Sequence, residues 1–193
     1  SERAYQHARD YAKSRLQGTQ RDGSQVAIIN HPDVRRMLMQ MKASIEAMRA
    51  LAYVASAEID LAHGLKDPEQ AQAHQGRAEL LTPIVKGWIT ELAQEVTSLG
   101  LQIHGGMGYI EETGAAQFYR DARILPIYEG TTGIQALDLV GRKNMANGGQ
   151  LIAQLLTEMA SILDAMEGAG EALSPVASAL RRVVPLVDVE TVC

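Results

Sequence analysis

The clearest periodic signal lies between Pro32 and Gly64. Val34, Leu38, Met41, Ile45, Met48, Ala52, Ala55, Ile59 and Ala62 alternate spacings of four and three. That spacing is an a/d seam on one long helix. His31-Pro32-Asp33 marks its start, with Pro at a position that needs no N–H and Asp near the positive end of the dipole. Gly64 marks its end. The seam is expected to be exposed in this chain and to drive self-association. Upstream, residues 2 to 17 place Tyr5, Ala8, Ala12 and Leu16 on one stripe, closed by Gly18. Residues 18 to 30 read as a polar connector with an apolar patch from Val26 to Ile29.

Downstream, residues 65 to 78 read as a charged, Gln-rich linker. A second long helix is predicted from Thr82-Pro83 to Gly100, burying Leu81, Ile84, Trp88, Leu92, Val96 and Leu99. The glycines between residues 100 and 114 exclude ordinary helix throughout that stretch. Short helices are predicted over 115 to 123 and from about Thr131 through Val140. Residues 150 to 167 repeat the helical period, and Ser174-Pro175 opens another helix. The closing stretch, Val183 to Cys193, is apolar and short, and the chain is expected to stop within an element.

Composition sharpens this into an all-α, up-and-down bundle with extra C-terminal helices. Aromatics are only 4% of the 193 residues, too few for sheet-rich folds, while hydrophobic residues reach 46%, enough for a real core. The domains are expected at 1–143 and 144–193. The net charge of −5 argues against a nucleic-acid binder. No apolar run is long enough to span a bilayer, and the N-terminus has no signal-peptide character. A cytoplasmic protein is expected. Cys193 is the lone cysteine, so no internal disulfide can form. The five histidines show no metal-ligand spacing, and no metal is expected.

Candidate chemistry concentrates between residues 100 and 135. Gly105, Gly106 and Gly108 let the backbone turn tightly and approach a ligand, although taken alone they read first as a helix stop followed by a turn. They do not form a dinucleotide fingerprint, since Glu111 stands where a third glycine is needed. Glu129 follows the apolar run Ile124 to Tyr128 and precedes a helix start. It is either a partly desolvated general base or an ordinary first-turn acid. Thr131-Thr132-Gly133 is either an anion-binding helix start or an N-cap. Arg120, Asp121 and Arg123 read as surface ion pairs.

Three motifs in fixed order are more specific than their parts. Gln102-Ile-His-Gly-Gly-Met-Gly-Tyr109, Tyr119-Arg-Asp-Ala-Arg-Ile124 and Ile127-Tyr-Glu-Gly-Thr131 resemble the C-terminal helical domain of the flavin-dependent acyl-CoA dehydrogenases, over about residues 1 to 143. The resemblance implies an FAD enzyme of fatty acid β-oxidation that converts an acyl-CoA thioester to trans-2-enoyl-CoA. It implies Glu129 as the base, with Tyr128 and Gly130 beside the substrate. It implies FAD contacts from Thr131, Thr132 and Gly133. Gln102, Ile103, His104, Gly105 and Gly106, with Arg15, would reach the FAD of a neighbouring subunit, which makes the protein a homodimer or homotetramer. Two positions depart from the family pattern: Leu16 stands where Phe is usual, and Gly133 where Gln is usual. The N-terminal helical and middle β-domains of the family are absent, so this fragment alone is expected to be inactive. The alternative is a non-catalytic helical oligomerisation or interaction module that shares the fold.

Overall fold

The computed structural model describes residues 1–19 and 21–182. These residues are mostly helical and form two compact units, Ser1–Ala136 and the described part of Leu137–Cys193. The predicted closing stretch from Val183 lies outside the described residues.

In the first unit, α1 (Glu2–Ser14) leads through a short antiparallel hairpin, β1 (Leu16–Thr19) and β2 (Gln25–Ala27), into α2 (Pro32–Gly64). Three residues separate α2 from α3 (Pro68–His104), so α3 folds back along α2. The core lies where α1, α2 and α3 meet and is built from Ala8, Ala12, Met37, Leu38, Met41, Ile45, Met48, Val96 and Ile103. Alanines on α1 and methionines on α2 permit close, adaptable packing. The seam predicted on α2 is therefore covered by the chain's own helices rather than left exposed.

Several boundaries differ from the sequence reading. The first helix ends at Ser14, and Arg15 is extended (φ −73°, ψ 119°), which puts Leu16 in a strand and leaves it exposed. The connector at 18 to 30 contains the β-hairpin, turned at Asp22, whose carboxylate accepts from the Ser24 N–H and hydroxyl. The expected linker at 65 to 78 is mostly helix. Asp67 caps α3 by accepting from the Glu69 N–H at 3.0 Å, and Pro68 begins it. Pro83 then lies inside α3 rather than at its start. An interior proline costs about 3 kcal/mol. The adjacent Leu80 and Leu81, 2% and 4% exposed, are buried against the bundle. Two such leucines contribute about 3–6 kcal/mol, enough to carry the helix through.

Two positions on the long helices also change faces. The seam drifts at its C-terminal end, so Glu58 is buried and Ile59 is exposed. Glu58 meets His74 Nδ1 at 2.7 Å and Arg77 Nε at 3.0 Å, both on α3. Trp88, expected in the core, is exposed.

Beyond α3 come α4 (Gly106–Tyr109), a 3-10 turn (Glu111–Thr113), α5 (Ala115–Arg123) and α6 (Thr132–Asp138). α5 packs on α3 and α1. Arg120 pairs with Glu111 across this turn. In the second unit, α7 (Gln150–Gly168) and α8 (Ser174–Arg181) pack together, burying Leu163 and Ala177. Arg181 pairs there with Asp164 and Glu167. No helix among the described residues is long and apolar enough to cross a membrane.

Candidate functional site

The loop between α5 and α6 presents Glu129. Its backbone is left-handed (φ 53°), as is that of Gly130 (φ 90°). Glutamate has no side-chain feature that favours this region, so the conformation is strained by about 1–2 kcal/mol. Strain of this kind persists only where surroundings over-determine it. Here α3 supplies the constraint. The Lys86 ammonium donates to the Leu125 carbonyl at 2.8 Å and to the Gly130 carbonyl at 2.7 Å. Thr132 Oγ1 donates to Glu91 Oε1 at 2.6 Å, and the Thr132 N–H reaches the Pro126 carbonyl at 3.3 Å. A side chain on Gly130 would start 2.7 Å from Gln135 Nε2. Lys86 and Glu91 were not singled out in the sequence, since nothing local to either residue marks its partner.

Glu129 and Tyr128 are exposed, as are Thr131 and Gly133, with Gly130 and Thr132 half-buried. Glu129 is thus open to solvent in this chain. The loop lies on the surface of its unit, held from below by α3. The apolar side chains near it in sequence, Ile124, Ile127 and Ile134, are also exposed.

A second feature is an open cleft of about 740 Å³ between α1, the hairpin and the C-terminal end of α3. It gathers Arg15, Gln102, Ile103, His104, Gly105 and Gly106, all six of the residues singled out from those two distant segments. Thr131, Thr132 and Gly133 do not line it. Its lining contains no carboxylate, and Arg15 is exposed. His104 is 4% exposed and stacks on Tyr11 at 4.4 Å. Its Nδ1 is 2.7 Å from the Gly100 carbonyl, which assigns the proton to Nδ1. Nε2 is then a buried acceptor without a partner. Burial holds the imidazole below its ordinary pKa, so it is neutral at pH 7.

The glycines at this wall have separate roles. Gly105 ends α3 with φ 61° and ψ −141°, a conformation open essentially to glycine alone. Above Gly106 there is open space. Gly108 packs against the last turn of α3, where an added Cβ would lie 2.9 Å from His104 Cβ and 3.0 Å from the Leu101 carbonyl carbon.

These features define an all-α bundle domain with a strained surface carboxylate and a carboxylate-free cleft. The chain belongs to the acyl-CoA dehydrogenase family: the pattern "Acyl-CoA dehydrogenase, C-terminal domain" matches residues 1–145. It is 55% identical over 185 residues to the 3-methylmercaptopropionyl-CoA dehydrogenase of Ruegeria pomeroyi, covering 93% of this chain and 31% of that protein. It is 36% identical over 163 residues to a butyryl-CoA dehydrogenase of Syntrophomonas wolfei, covering 83% of this chain and 27% of that protein. The chain thus spans about a third or less of the length of these relatives. Its fold is similar to that of Caenorhabditis elegans ACDH-11, solved with C11-CoA, at a TM-score of 0.79 and 24% identity, over 95% of this chain and 29% of that one.

Proposed function

We propose that this chain is the base-bearing part of an FAD-dependent acyl-CoA dehydrogenase, with Glu129 as the base. The observation that carries this reading is the left-handed Glu129, anchored on both sides to α3 within the Tyr128-Glu129-Gly130-Thr131 motif. A carboxylate kept in a costly conformation by several bonds from one rigid helix has a use for that conformation.

Glu129 takes the α-proton of an acyl-CoA thioester onto its carboxylate. The Cα–H electron pair becomes part of the new Cα=Cβ bond as the β-hydrogen departs with its own pair. The product is trans-2-enoyl-CoA. Accepting the β-hydrogen as hydride is the chemistry that FAD supplies when bound. Gly130 leaves room for the thioester beside the base, and Tyr128 flanks it. The exposed loop and its apolar neighbours are the surface that the rest of the longer protein covers. That cover supplies the desolvation a carboxylate base needs.

The cleft fits the adenylate and pyrophosphate of FAD. Arg15 offers a planar, permanent cation, no carboxylate opposes an anion, and His104 Nε2 is a buried acceptor awaiting a donor. Gly105 and Gly106 let a ligand approach the main chain. Thr131 to Gly133 would touch a different FAD from the one held at Arg15. Two such sets on one chain call for a homodimer or homotetramer in which each copy completes its neighbour's site.

The test uses the full-length parent protein. The parent should be yellow and should bleach on anaerobic addition of 3-methylmercaptopropionyl-CoA or butyryl-CoA; Glu129→Gln should stay yellow. Equal bleaching in both would move the base elsewhere. A colourless parent that binds no FAD would favour a helical interaction module.

A further inference from the structure

The loop that carries Glu129 has no helical or strand ladder of its own to hold it. Beside the bond from the Thr132 N–H to the Pro126 carbonyl, one side chain gathers its two sides. Lys86 Nζ lies 2.8 Å from the Leu125 carbonyl before Glu129 and 2.7 Å from the Gly130 carbonyl after it. The same ammonium sits 5.9 Å from the centre of the Tyr128 ring. Two carbonyls that converge on one point repel each other unless a donor with more than one N–H stands between them. A half-buried ammonium meets that need, and its charge strengthens both bonds. No carboxylate pairs with Lys86 among the described residues, so its charge is spent on the loop. Lys86 lies within the long helix α3, packed against α2, so the anchor itself is rigid.

We propose that Lys86 is the positioning residue for the base: by tying Leu125 and Gly130 to α3 it holds Glu129 in its left-handed conformation and fixes where the carboxylate points. The proposal rests on the reading of Glu129 as the base. Lys86 acts through the main chain on either side of Glu129. Without it the loop relaxes toward right-handed φ at Glu129, and the carboxylate leaves the position from which it reaches an α-proton.

The experiment uses the full-length parent with 3-methylmercaptopropionyl-CoA and butyryl-CoA as probes. Lys86→Met, Lys86→Gln, Lys86→Arg and Glu129→Gln are compared for helicity, flavin content, KM and the anaerobic rate of flavin reduction. A base displaced by about 1 Å costs on the order of 100-fold in rate. Lys86→Met and Lys86→Gln should therefore keep flavin and KM and reduce flavin about 100-fold more slowly. Lys86→Arg, which keeps a multi-donor cation, should recover most of the rate. Parent-like rates in Lys86→Met, a rise in KM equal to the loss in rate, or no recovery in Lys86→Arg would each overturn the proposal. Loss of fold in both Lys86→Met and Lys86→Gln would also overturn it, since Lys86 would then serve stability alone. Glu129→Gln separates the two ideas. If it keeps the parent's rate, the base reading fails; if it is inactive while the Lys86 variants match the parent, only the positioning role fails.

Discussion

Replacing Gly108 by alanine tests whether the glycine cluster is punctuation or fitted structure. The new methyl would lie 2.9 Å from His104 Cβ and 3.0 Å from the Leu101 carbonyl carbon, with the Leu101 oxygen nearer still. Two of these three atoms are backbone in the last turn of α3, so no side chain can swing aside. Either α4 or the end of α3 must move. Forced overpacking costs about 1–3 kcal/mol, and a backbone obstacle places this site at the upper end. The helix-propensity gain of alanine returns at most about 1 kcal/mol. A net loss near 2 kcal/mol lowers Tm by about 4–8 °C in a chain of this size. Gly106→Ala is the control, because an added Cβ there meets nothing within 4 Å. Its Tm should stay level or rise slightly. Thermal denaturation followed by circular dichroism decides the matter. Equal shifts in the two variants, or a Gly108→Ala chain that melts with the parent, would refute the packing argument.

Three further outcomes are expected. Glu129→Gly removes about 1–2 kcal/mol of left-handed strain and adds about 0.4–1 kcal/mol of unfolded-state entropy. The variant should be as stable as the parent or slightly more so by urea denaturation, yet unable to reduce flavin in the full-length protein; a clear loss of stability would deny the strain. His104 has its pKa lowered by burial, so the unfolded chain binds the proton more readily. Its contribution is fully present above the unfolded value of about 6.5 and is lost as pH falls through the lower folded value. Tm measured from about pH 7.5 down to about pH 5 should fall more steeply for the parent than for His104→Leu, and parallel curves would count against this. Glu58→Ala leaves His74 and Arg77 without the carboxylate they share. With partners only partly buried, the loss should be about 1–3 kcal/mol in urea denaturation, and an unchanged midpoint would mean the cluster is neutral.

Much of the architecture was legible in the order of residues. The period from Val34 to Ala55, bounded by Pro32 and Gly64, defines α2 with its ends. Residues 115 to 123 and the period from Leu151 to Met166 likewise specify α5 and α7. Arg15 and Gln102 to Gly106, chosen from motifs 87 and more residues apart, line one cleft. The helix signals are local or periodic, because a helix writes its buried face into its own sequence, whereas the cleft residues were marked by the family resemblance.

What the tertiary structure decided is everything that depended on a partner far along the chain. Pro83 reads locally as a helix start, and only packing of Leu80 and Leu81 against the bundle carries α3 through it. Ile59 reads as core, yet the seam drifts and Glu58 is the buried residue, facing His74 and Arg77 on α3. Lys86 reads as an unremarkable helix lysine. Its two acceptors are 39 and 44 residues away, main-chain atoms that no side-chain pattern encodes. The sequence by itself determined most of the helices, and its resemblance to a known family singled out Glu129. The folded chain determined how Glu129 is held, because a loop takes its shape from the surfaces it touches rather than from its own residues.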